Sequence, residues 1–347
     1  MLMPRRSGGR ALTAAASRTL PRVSRRALIT GIVGQDGGYL AELLLGEGDE
    51  VIGTVRSPDG AFDRAGLSQL EGRVPLLAMD LLDPDSVRRA AAEATPDDIY
   101  HLAAPTFVLD AVSRPERTRA AIVGGTEALL AAAGADVRVL LAASSEVFGA
   151  CESSPQSERT PMRPRNAYGE AKLAVHRMAA RERARGRFVV SAITYNHESP
   201  RRPSRFVTRS ITQGVAEIAA SRAERLGVGN QAAVRDWSHA RDIVEAMLLA
   251  LRHEQPDDYV LASGVGHTVG ELVELAFAAA GVARRLPSGE DRVYTEERYW
   301  RPLEEHPLIG DATKARSLLG WQPQTSFEQL VAEMVAADLA RAGVVRA

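Results

Sequence analysis

Short runs of apolar residues alternate with stretches of helical periodicity along the chain. The clearest case is residues 27–56, where an apolar run meets glycines and is followed by apolar positions at Tyr39, Leu40, Leu43 and Leu44 before a second apolar run. Strands give short apolar runs, whereas an amphipathic helix repeats its apolar positions every three to four residues. The segment therefore predicts a strand, a tight turn, a helix and a second strand.

The same alternation continues to about residue 196 and then changes. Further apolar runs occur at residues 74–81, 98–104, 137–145 and 188–196, with helix-like stretches between them. This order predicts an α/β fold with a doubly wound parallel sheet. Beyond residue 196 proline and arginine become frequent, which indicates a smaller interleaved domain. We expect a Rossmann domain over residues 27–195 with about 236–262, and a substrate domain over 196–235 and 263–340.

Composition narrows the function classes. The chain has 347 residues, a formal net charge of -1, 45% hydrophobic residues and 25% charged residues. These values are typical of a globular protein of one large or two coupled domains and do not indicate a nucleic-acid partner. No stretch reaches the roughly 18 apolar residues of a membrane span. The only cysteine, Cys151, cannot form an internal disulfide, which suits the cytoplasm.

The first 26 residues form a separate basic tail. They contain seven arginines and no acidic residue, and they lack the apolar core of a secretory signal. An arginine-rich, acid-free segment is similar to an organelle transit peptide. We favour a disordered extension, because such a composition cannot bury enough apolar surface to order itself.

Glycines between the first strand and helix indicate a dinucleotide site. Gly31, Gly34 and Gly37 form the pattern TGxxGxxG, which lets backbone amides at a helix N-terminus face a pyrophosphate. The second strand ends in Thr54-Val55-Arg56, with no acidic residue to bind a ribose 2′-hydroxyl. Arg56 favours the 2′-phosphate of NADP, and a solvated surface arginine is the alternative.

A tyrosine and a lysine mark the candidate catalytic helix. Of the 43 basic residues only Lys172 and Lys314 are lysines. Tyr168 and Lys172 are four residues apart, so on a helix they share a face. A compact ammonium can bind a ribose hydroxyl and favour the phenolate of a neighbouring tyrosine. We therefore expect Tyr168 to be a catalytic base and Lys172 its partner.

These residues, with AASSEVFG at 142–149, resemble the extended short-chain dehydrogenase/reductases. In that family a Ser or Thr at the end of a strand joins the Tyr and the Lys. Glu146, two residues after Ser144, indicates a second acid/base group, which a 4,6-dehydratase needs to remove a proton from carbon 5 and expel water from carbon 6. The structural alternative is that Glu146 caps a helix or faces water.

The resemblance narrows to the GDP-mannose 4,6-dehydratase family and covers residues 27 to about 340. The segments GIVGQDGGYLAELLL, NHESPRR and LIGDATKARSLLGWQP are similar to motifs of that family. The resemblance implies a lyase that converts GDP-mannose to its 4-keto-6-deoxy product. It also implies a tightly held NADP that takes hydride from carbon 4 and returns it to carbon 6, no metal, and a homodimer with a tetramer as the alternative.

The resemblance also implies site residues. The implied catalytic residues are Ser144, Glu146, Tyr168 and Lys172. The implied cofactor contacts are Gly31, Gly34, Gln35, Asp36, Gly37, Arg56, Asp80, Leu81, Leu102, Ala103, Ala104, Tyr168, Lys172, His197 and Arg202. The implied substrate contacts are Ser144, Glu146, Asn196, Arg235 and Arg301.

Three departures from the family pattern leave part of the specificity open. Ser210 replaces a lysine of the family, Pro105-Thr106 replaces a different pair, and the segment after Arg56 is shorter and lacks a second arginine. The guanine base, the mannose configuration and the tetramer therefore stay open. A related reductase or epimerase is the second hypothesis, and a non-catalytic NADP-binding regulator is the third.

Overall fold

The computed structural model describes residues 24–300 and 306–344, so residues 1–23 of the basic tail lie outside the described part. The strands are β1 (Arg26–Thr30), β2 (Glu50–Val55), β3 (Leu76–Ala78), β4 (Asp98–His101), β5 (Arg138–Ala142), β6 (Val189–Thr194), β7 (Asn196–Glu198), β8 (Leu226–Val228), β9 (Val234–His239), β10 (Asp258–Leu261), β11 (Gly266–Thr268) and β12 (Val293–Thr295). The helices are α1 (Gln35–Gly46), α2 (Ala61–Arg64), α3 (Pro84–Ala94), α4 (Val108–Ser113), α5 (Pro115–Arg119), α6 (Gly125–Ala132), α7 (Ala167–Ala184), α8 (Val207–Ala219), α9 (Ala240–Arg252), α10 (Val269–Ala280), α11 (Thr313–Leu319) and α12 (Phe327–Arg341).

A seven-stranded sheet with the order β10-β6-β5-β4-β1-β2-β3 forms the centre of the molecule. Every neighbouring pair in this sheet is parallel. Side chains of β1 alternate between two cores, with Leu28 on one face and Ala27 and Ile29 on the other. Helices α1, α9 and α11 cover one face and α3, α6 and α7 the other. The predicted α/β fold with a doubly wound parallel sheet is confirmed.

A second layer of structure follows β6. Strands β11, β9 and β7 form a three-stranded sheet, and β12 pairs with β8. Helices α8, α10 and α12 pack around the buried Trp237 of β9. On α12 the side chains of Leu330, Met334 and Leu339 are buried, and each such side chain contributes about 1.5–3 kcal/mol on burial. This apolar face holds the C-terminal helix against the rest of the layer.

The two layers are interleaved along the chain. Strand β10 returns to the large sheet, where it pairs with β6. Helix α11 also packs on the large sheet through Ala315, although its residues follow the second layer in sequence. The segment 196–206 leaves the end of β6 and begins the second layer, so it lies where the two layers meet.

Candidate active site

The order in which the strands are added to the sheet reverses between the neighbouring strands β1 and β4. From β1 the strands continue to β2 and β3 on one side, and from β4 they continue to β5 and β6 on the other. In open α/β sheets such a switch point leaves a crevice at the carboxyl ends of the strands, where ligands bind. The loops after β1 and β4 meet there, because a Cβ on Gly31 would lie 3.0 Å from the Cα of Ala103. Ala103, with its neighbours Leu102 and Ala104, is therefore in the loop that meets the glycine turn at this edge of the sheet.

The glycine turn has the features of a phosphate-binding turn. Gly31 has φ +72°, and a Cβ on Gly37 would lie 2.6 Å from the carbonyl oxygen of Gly31. Gly34 is exposed at the N-cap of α1, and no side chain caps this helix end. The first amides of a 12-residue helix thus face the crevice with a positive partial charge.

A threonine and a histidine that sequence analysis missed fix the two loops together. The Thr30 hydroxyl accepts hydrogen bonds from the two backbone amides that follow His101, both at 3.0 Å, and contacts His101 Nδ1 at 2.8 Å. The other ring nitrogen of His101 lies 3.1 Å from the hydroxyl of Thr126. Burial lowers the pKa of His101 to about 3, so the ring is neutral. The signal was in the sequence, since Thr30 opens the glycine motif, but its partner is 71 residues away.

The four predicted catalytic residues come from the end of β5 and from α7. Ser144 lies two residues after the end of this strand and caps the short 3₁₀ helix Ser145–Val147, where its oxygen accepts from the amide of Glu146 at 3.3 Å. Tyr168 is 7% exposed. Burial raises the pKa of Tyr168 to about 12, while a hydrogen bond with Ser144 acts in the opposite direction. The phenol is therefore protonated at neutral pH in this structure.

Glu146 is bound to the cap of the helix that bears Tyr168. Asn166 is the N-cap of α7; its side-chain oxygen accepts from the amide of Gly169, and its amide nitrogen donates to the Glu146 carboxylate, both at 2.8 Å. A Cβ on Gly169 would lie 2.5 Å from the carbonyl oxygen of Glu146. The glycine in the YGEAK motif thus lets α7 approach Glu146 closely. Sequence analysis assigned no role to Asn166 or Gly169.

Lys172 is buried beneath the same site. Its ammonium nitrogen donates to the carbonyl oxygen of Ala142 at 2.6 Å and lies 5.9 Å from the ring centroid of Tyr168. Burial lowers the pKa of Lys172 to about 8, although the negative charge of Asp36 opposes this shift. Ser144, Glu146, Tyr168 and Lys172 are therefore held around one point between β5 and α7.

Three further predicted cofactor contacts, Arg56, Asp80 and Leu81, lie in the loops that follow β2 and β3. Arg56 is exposed directly after β2. The carboxylate of Asp80 accepts from the amide of Leu82 at 2.9 Å, and Leu81 packs against Gly125 at the start of α6. These residues follow β2 and β3, on the side of the crevice that the glycine turn faces.

Two of the predicted substrate contacts, Asn196 and Arg235, lie in the second layer, and so does the predicted cofactor contact Arg202. Asn196 in β7 and Arg235 in β9 are half-buried, and Asn196 is paired with Trp237 across the two strands. Arg202 forms an ion pair with Glu198 at 3.1 Å. Arg301 lies outside the described residues.

The loop after β4 contacts the segment 196–206 through aromatic and charged side chains. Phe107, in the loop after β4, meets Phe206 edge to face with ring centroids 5.5 Å apart. Arg205 lies over the ring of Phe107 at 4.7 Å and forms an ion pair with Asp110 at 3.0 Å. The loop that contains the unusual Pro105-Thr106 pair thus touches the segment 196–206.

The described residues form neither a membrane-spanning helix nor a cluster of metal ligands. Within 24–300 and 306–344 no helix has the length and hydropathy that crossing a membrane requires. Among the same residues no three His, Cys, Asp or Glu side chains are grouped in a way that could hold a metal ion.

Comparison with known proteins gives one family. The family model for GDP-mannose 4,6 dehydratase matches residues 28–334. The chain is 40% identical to GDP-mannose 4,6 dehydratase 2 of Arabidopsis thaliana, over 96% of this chain and 92% of that protein. It is 40% identical to the human GDP-mannose 4,6 dehydratase, over 90% of this chain and 91% of that protein.

Solved structures agree with the fold. RMD from Pseudomonas aeruginosa complexed with NADPH superposes with a TM-score of 0.76 at 26% identity, over 92% of this chain and 100% of that chain. A putative epimerase from Burkholderia cenocepacia has the same TM-score at 30% identity, over 91% and 99%. With the family match over most of its length, the chain belongs to the GDP-mannose 4,6-dehydratase family of hydro-lyases.

Proposed function

We propose that the protein catalyses the 4,6-dehydration of GDP-mannose to GDP-4-keto-6-deoxymannose with NADP as its cofactor. The observation that carries this proposal is the link between Glu146 and Asn166, which caps the helix that bears Tyr168. Exchange of hydride at carbon 4 alone requires one base. Loss of water across carbons 5 and 6 requires a second acid/base group, and the linked Glu146 supplies it.

The residues present at the switch point fit a nicotinamide dinucleotide. The turn from Gly31 to Gly37 and the uncapped start of α1 suit its pyrophosphate, and Lys172 suits the nicotinamide ribose. Arg56 suits the 2′-phosphate and so favours NADP over NAD. The other proposed contacts are Gln35, Asp36, Asp80, Leu81, Leu102, Ala103, Ala104, His197 and Arg202. When bound, the cofactor supplies the acceptor for the hydride of carbon 4 and returns that hydride to carbon 6.

The proposed roles of the catalytic residues follow from their positions. Tyr168 accepts the proton of the 4-hydroxyl, and Ser144 hydrogen-bonds the oxygen at that carbon. Burial raises the pKa of Tyr168 to about 12, so a positive charge nearby is needed to favour the phenolate. Lys172 is the cation on the same helix face. Glu146 then removes the proton at carbon 5, which is acidic because it is alpha to the ketone.

Water leaves from carbon 6 after that step. The leaving hydroxide takes the proton from the newly protonated Glu146 and departs as water, while Ser144 hydrogen-bonds the departing oxygen. When hydride is delivered to carbon 6, carbon 5 takes a proton; the proton that Tyr168 accepted from the 4-hydroxyl balances it, so Glu146 and Tyr168 both return to their starting state. Asn196, Arg235 and Arg301 are the proposed substrate contacts, because guanidinium groups pair well with a diphosphate.

Two further proposals concern the state of the protein. We expect a homodimer, as the family resemblance implies, with a tetramer as the alternative that a native mass measurement distinguishes. We also place the protein in the cytoplasm, because a single cysteine suits a reducing compartment.

The proposed activity is tested with purified full-length protein, GDP-mannose and a catalytic amount of NADP. We expect a 4-keto product, transfer of a deuterium label from carbon 4 to carbon 6, and no net consumption of cofactor. Absence of product from GDP-mannose, with product from another sugar nucleotide, would overturn the substrate. Stoichiometric consumption of NADPH with a 4-keto sugar would instead establish the reductase hypothesis.

Asn166→Asp is expected to reduce kcat at least tenfold while leaving α7 folded. The aspartate keeps an acceptor for the amide of Gly169, so the helix cap remains. It loses the donor to Glu146 and places a second carboxylate beside it, and adjacent carboxylates retain a proton to higher pH. The acid limb of the kcat profile should therefore move to higher pH. Asn166→Ser is the control, since serine also caps helices without adding charge, and equal profiles for the two variants would contradict the proposed link.

A further inference from the structure

The segment that begins the second layer is fixed to the glycine turn by side chains. The amide nitrogen of Gln35 donates to the carbonyl oxygen of His197 at 3.0 Å, and the hydroxyl of Ser199 donates to the Gln35 side chain at 2.7 Å. Arg201 forms an ion pair with Glu42 of α1 at 2.7 Å. The first turns of α1 thus support residues 197–201 directly.

The His197–Asp36 contact differs from the others because it depends on protonation. Nδ1 of His197 lies 2.7 Å from the carbonyl oxygen of Tyr195, and Nε2 lies 2.9 Å from the Asp36 carboxylate. Both partners only accept hydrogen bonds, and a neutral imidazole has a single N–H. Both contacts are therefore hydrogen bonds only when His197 is an imidazolium.

The surrounding charges agree with this state. Burial is the largest effect on His197 and lowers its pKa, but the charge and the hydrogen bond of Asp36, with the carbonyl of Tyr195, together raise the pKa above its ordinary value, against a smaller opposing effect of Arg202. Burial is also the largest effect on Asp36 and raises its pKa, but the charge and the hydrogen bond of His197, with smaller contributions from Gln35 and Arg202, lower the pKa overall. From α7, Lys172 and Tyr168 also interact with the Asp36 carboxylate, whose charge opposes the lowering of the Lys172 pKa by burial and adds to the raising of the Tyr168 pKa. The ion pair is thus in electrostatic contact with the catalytic helix.

The positions of Asp36 and His197 in the fold indicate what this ion pair does. Asp36 follows Gly34 at the start of α1, in the turn proposed to hold the cofactor, whereas His197 lies between Asn196 and the ion pair of Glu198 with Arg202. A shift of His197 would therefore move groups on the substrate side relative to the cofactor turn.

We propose that Asp36 and His197 are positioning residues, an imidazolium–carboxylate pair that holds the segment 196–202 against the cofactor turn and releases it when His197 loses its proton. The geometry of the Asp36–His197 pair does not depend on the proposed function, and only the kinetic test rests on that function. A neutral His197 keeps only one of these two hydrogen bonds, because its single N–H cannot serve both Tyr195 and Asp36, and the lone pair of the other ring nitrogen then faces an acceptor. That contact is then repulsive, so the segment 196–202 is no longer held against the cofactor turn.

The sign of the pH effect follows from the raised pKa of His197. The pKa of a histidine in the unfolded chain is about 6.5, so the contribution of the pair to stability is fully present below that pH. It is lost as pH rises through the higher pKa of the folded state. Alkaline pH should therefore weaken the attachment of the segment 196–202 to the cofactor turn before it unfolds the protein.

The direct test is a titration of ¹⁵N-histidine-labelled full-length protein by NMR, without added ligands. The chain has seven histidines, so the His197 signal is assigned by its loss in His197→Gln. We expect His197 to stay doubly protonated above the ordinary histidine pKa, and its pKa to fall by about one unit or more in Asp36→Asn. A wild-type His197 that is neutral at pH 7 would overturn the proposal, whether or not the protein dehydrates GDP-mannose.

A kinetic test separates positioning from a merely structural role. His197→Gln leaves the charge of Asp36 beside Lys172 in place, so it should remove the part of the alkaline fall of kcat/KM that follows from His197 and leave only the decline that follows from Lys172. Asp258→Asn is the matched control, because Asp258 of β10 also pairs with a cation, Arg183 at 2.7 Å, and lies 3.9 Å from a histidine, His176 of α7. We expect this control to lose stability without moving the profile. Equal profile shifts in both variants would overturn the positioning role.

Discussion

Glu146→Gln is expected to lower kcat by about 10² to 10⁴-fold while cofactor binding stays intact. The amide keeps the shape of the carboxylate but cannot accept the proton from carbon 5. Removal of the 4-hydroxyl proton by Tyr168 does not depend on Glu146. The variant should therefore stop after the first oxidation, with reduced cofactor trapped on the protein.

Stopped-flow absorbance of reduced cofactor measures this trapping, and product analysis measures kcat. Glu152→Gln is the control, because Glu152 is an exposed carboxylate on the same loop that pairs with Arg163. It should behave as wild type. A Glu146→Gln variant that turns over at the wild-type rate would remove this residue from the mechanism.

The sequence was sufficient for features that depend on local pattern. The apolar runs predict the parallel sheet because a strand covered on both faces is apolar throughout, as Leu28 and Ile29 illustrate on opposite faces of β1. The glycine turn was predictable because Gly31 needs a positive φ and Gly37 has no room for a Cβ.

Contacts between distant parts of the chain were not predictable in the same way. Gln35 and Asp36 were expected at the cofactor, yet their side chains contact His197 and Ser199, more than 160 residues later. The periodicity of a single segment carries no information on such pairs. Asn166 was visible in the sequence beside Tyr168, but its bond to Glu146 depends on how α7 meets the end of β5.

The pKa values of Tyr168 and Lys172 depend on how deeply the two side chains are buried, and their spacing in the sequence does not predict that burial. The spacing of Tyr168 and Lys172 predicted a phenol that the ammonium makes more acidic. In the structure burial raises the pKa of Tyr168 to about 12 and lowers that of Lys172 to about 8. Both shifts have the same physical cause, since burial disfavours the charged form of either group. Activation of the tyrosine thus needs Lys172 to stay protonated when the site is occupied.

Lys172→Arg is expected to lower kcat/KM by about 10²-fold or more although it conserves charge, because a displacement of about 1 Å in a catalytic group has effects of this size. The ammonium nitrogen is buried and bound to the carbonyl oxygen of Ala142 at 2.6 Å. A planar guanidinium is larger and cannot place its charge at the same point. Overpacking of a buried site costs about 1–3 kcal/mol, so a moderate fall in melting temperature should accompany the loss.

The pH profile separates loss of geometry from loss of charge. If tyrosine activation is weakened, the rise of kcat/KM on the basic side moves to higher pH, with each unit equal to about 1.4 kcal/mol of phenolate stabilisation. The wild type should also lose activity as Lys172 deprotonates above its lowered pKa of about 8, and arginine should lack this decline because it stays charged.

Lys314→Arg is the matched control for this experiment. Lys314 is the other lysine of the chain, and its ammonium also donates to a backbone carbonyl, that of Asp258 at 2.9 Å, but it is 26% exposed and pairs with Asp257. The longer side chain has room there, so activity and its pH profile should not change. If Lys172→Arg also kept the wild-type rate and profile, a cation of either shape would suffice at this position. The buried ammonium would then not be what activates Tyr168, and the rarity of lysine in this chain would carry no functional meaning.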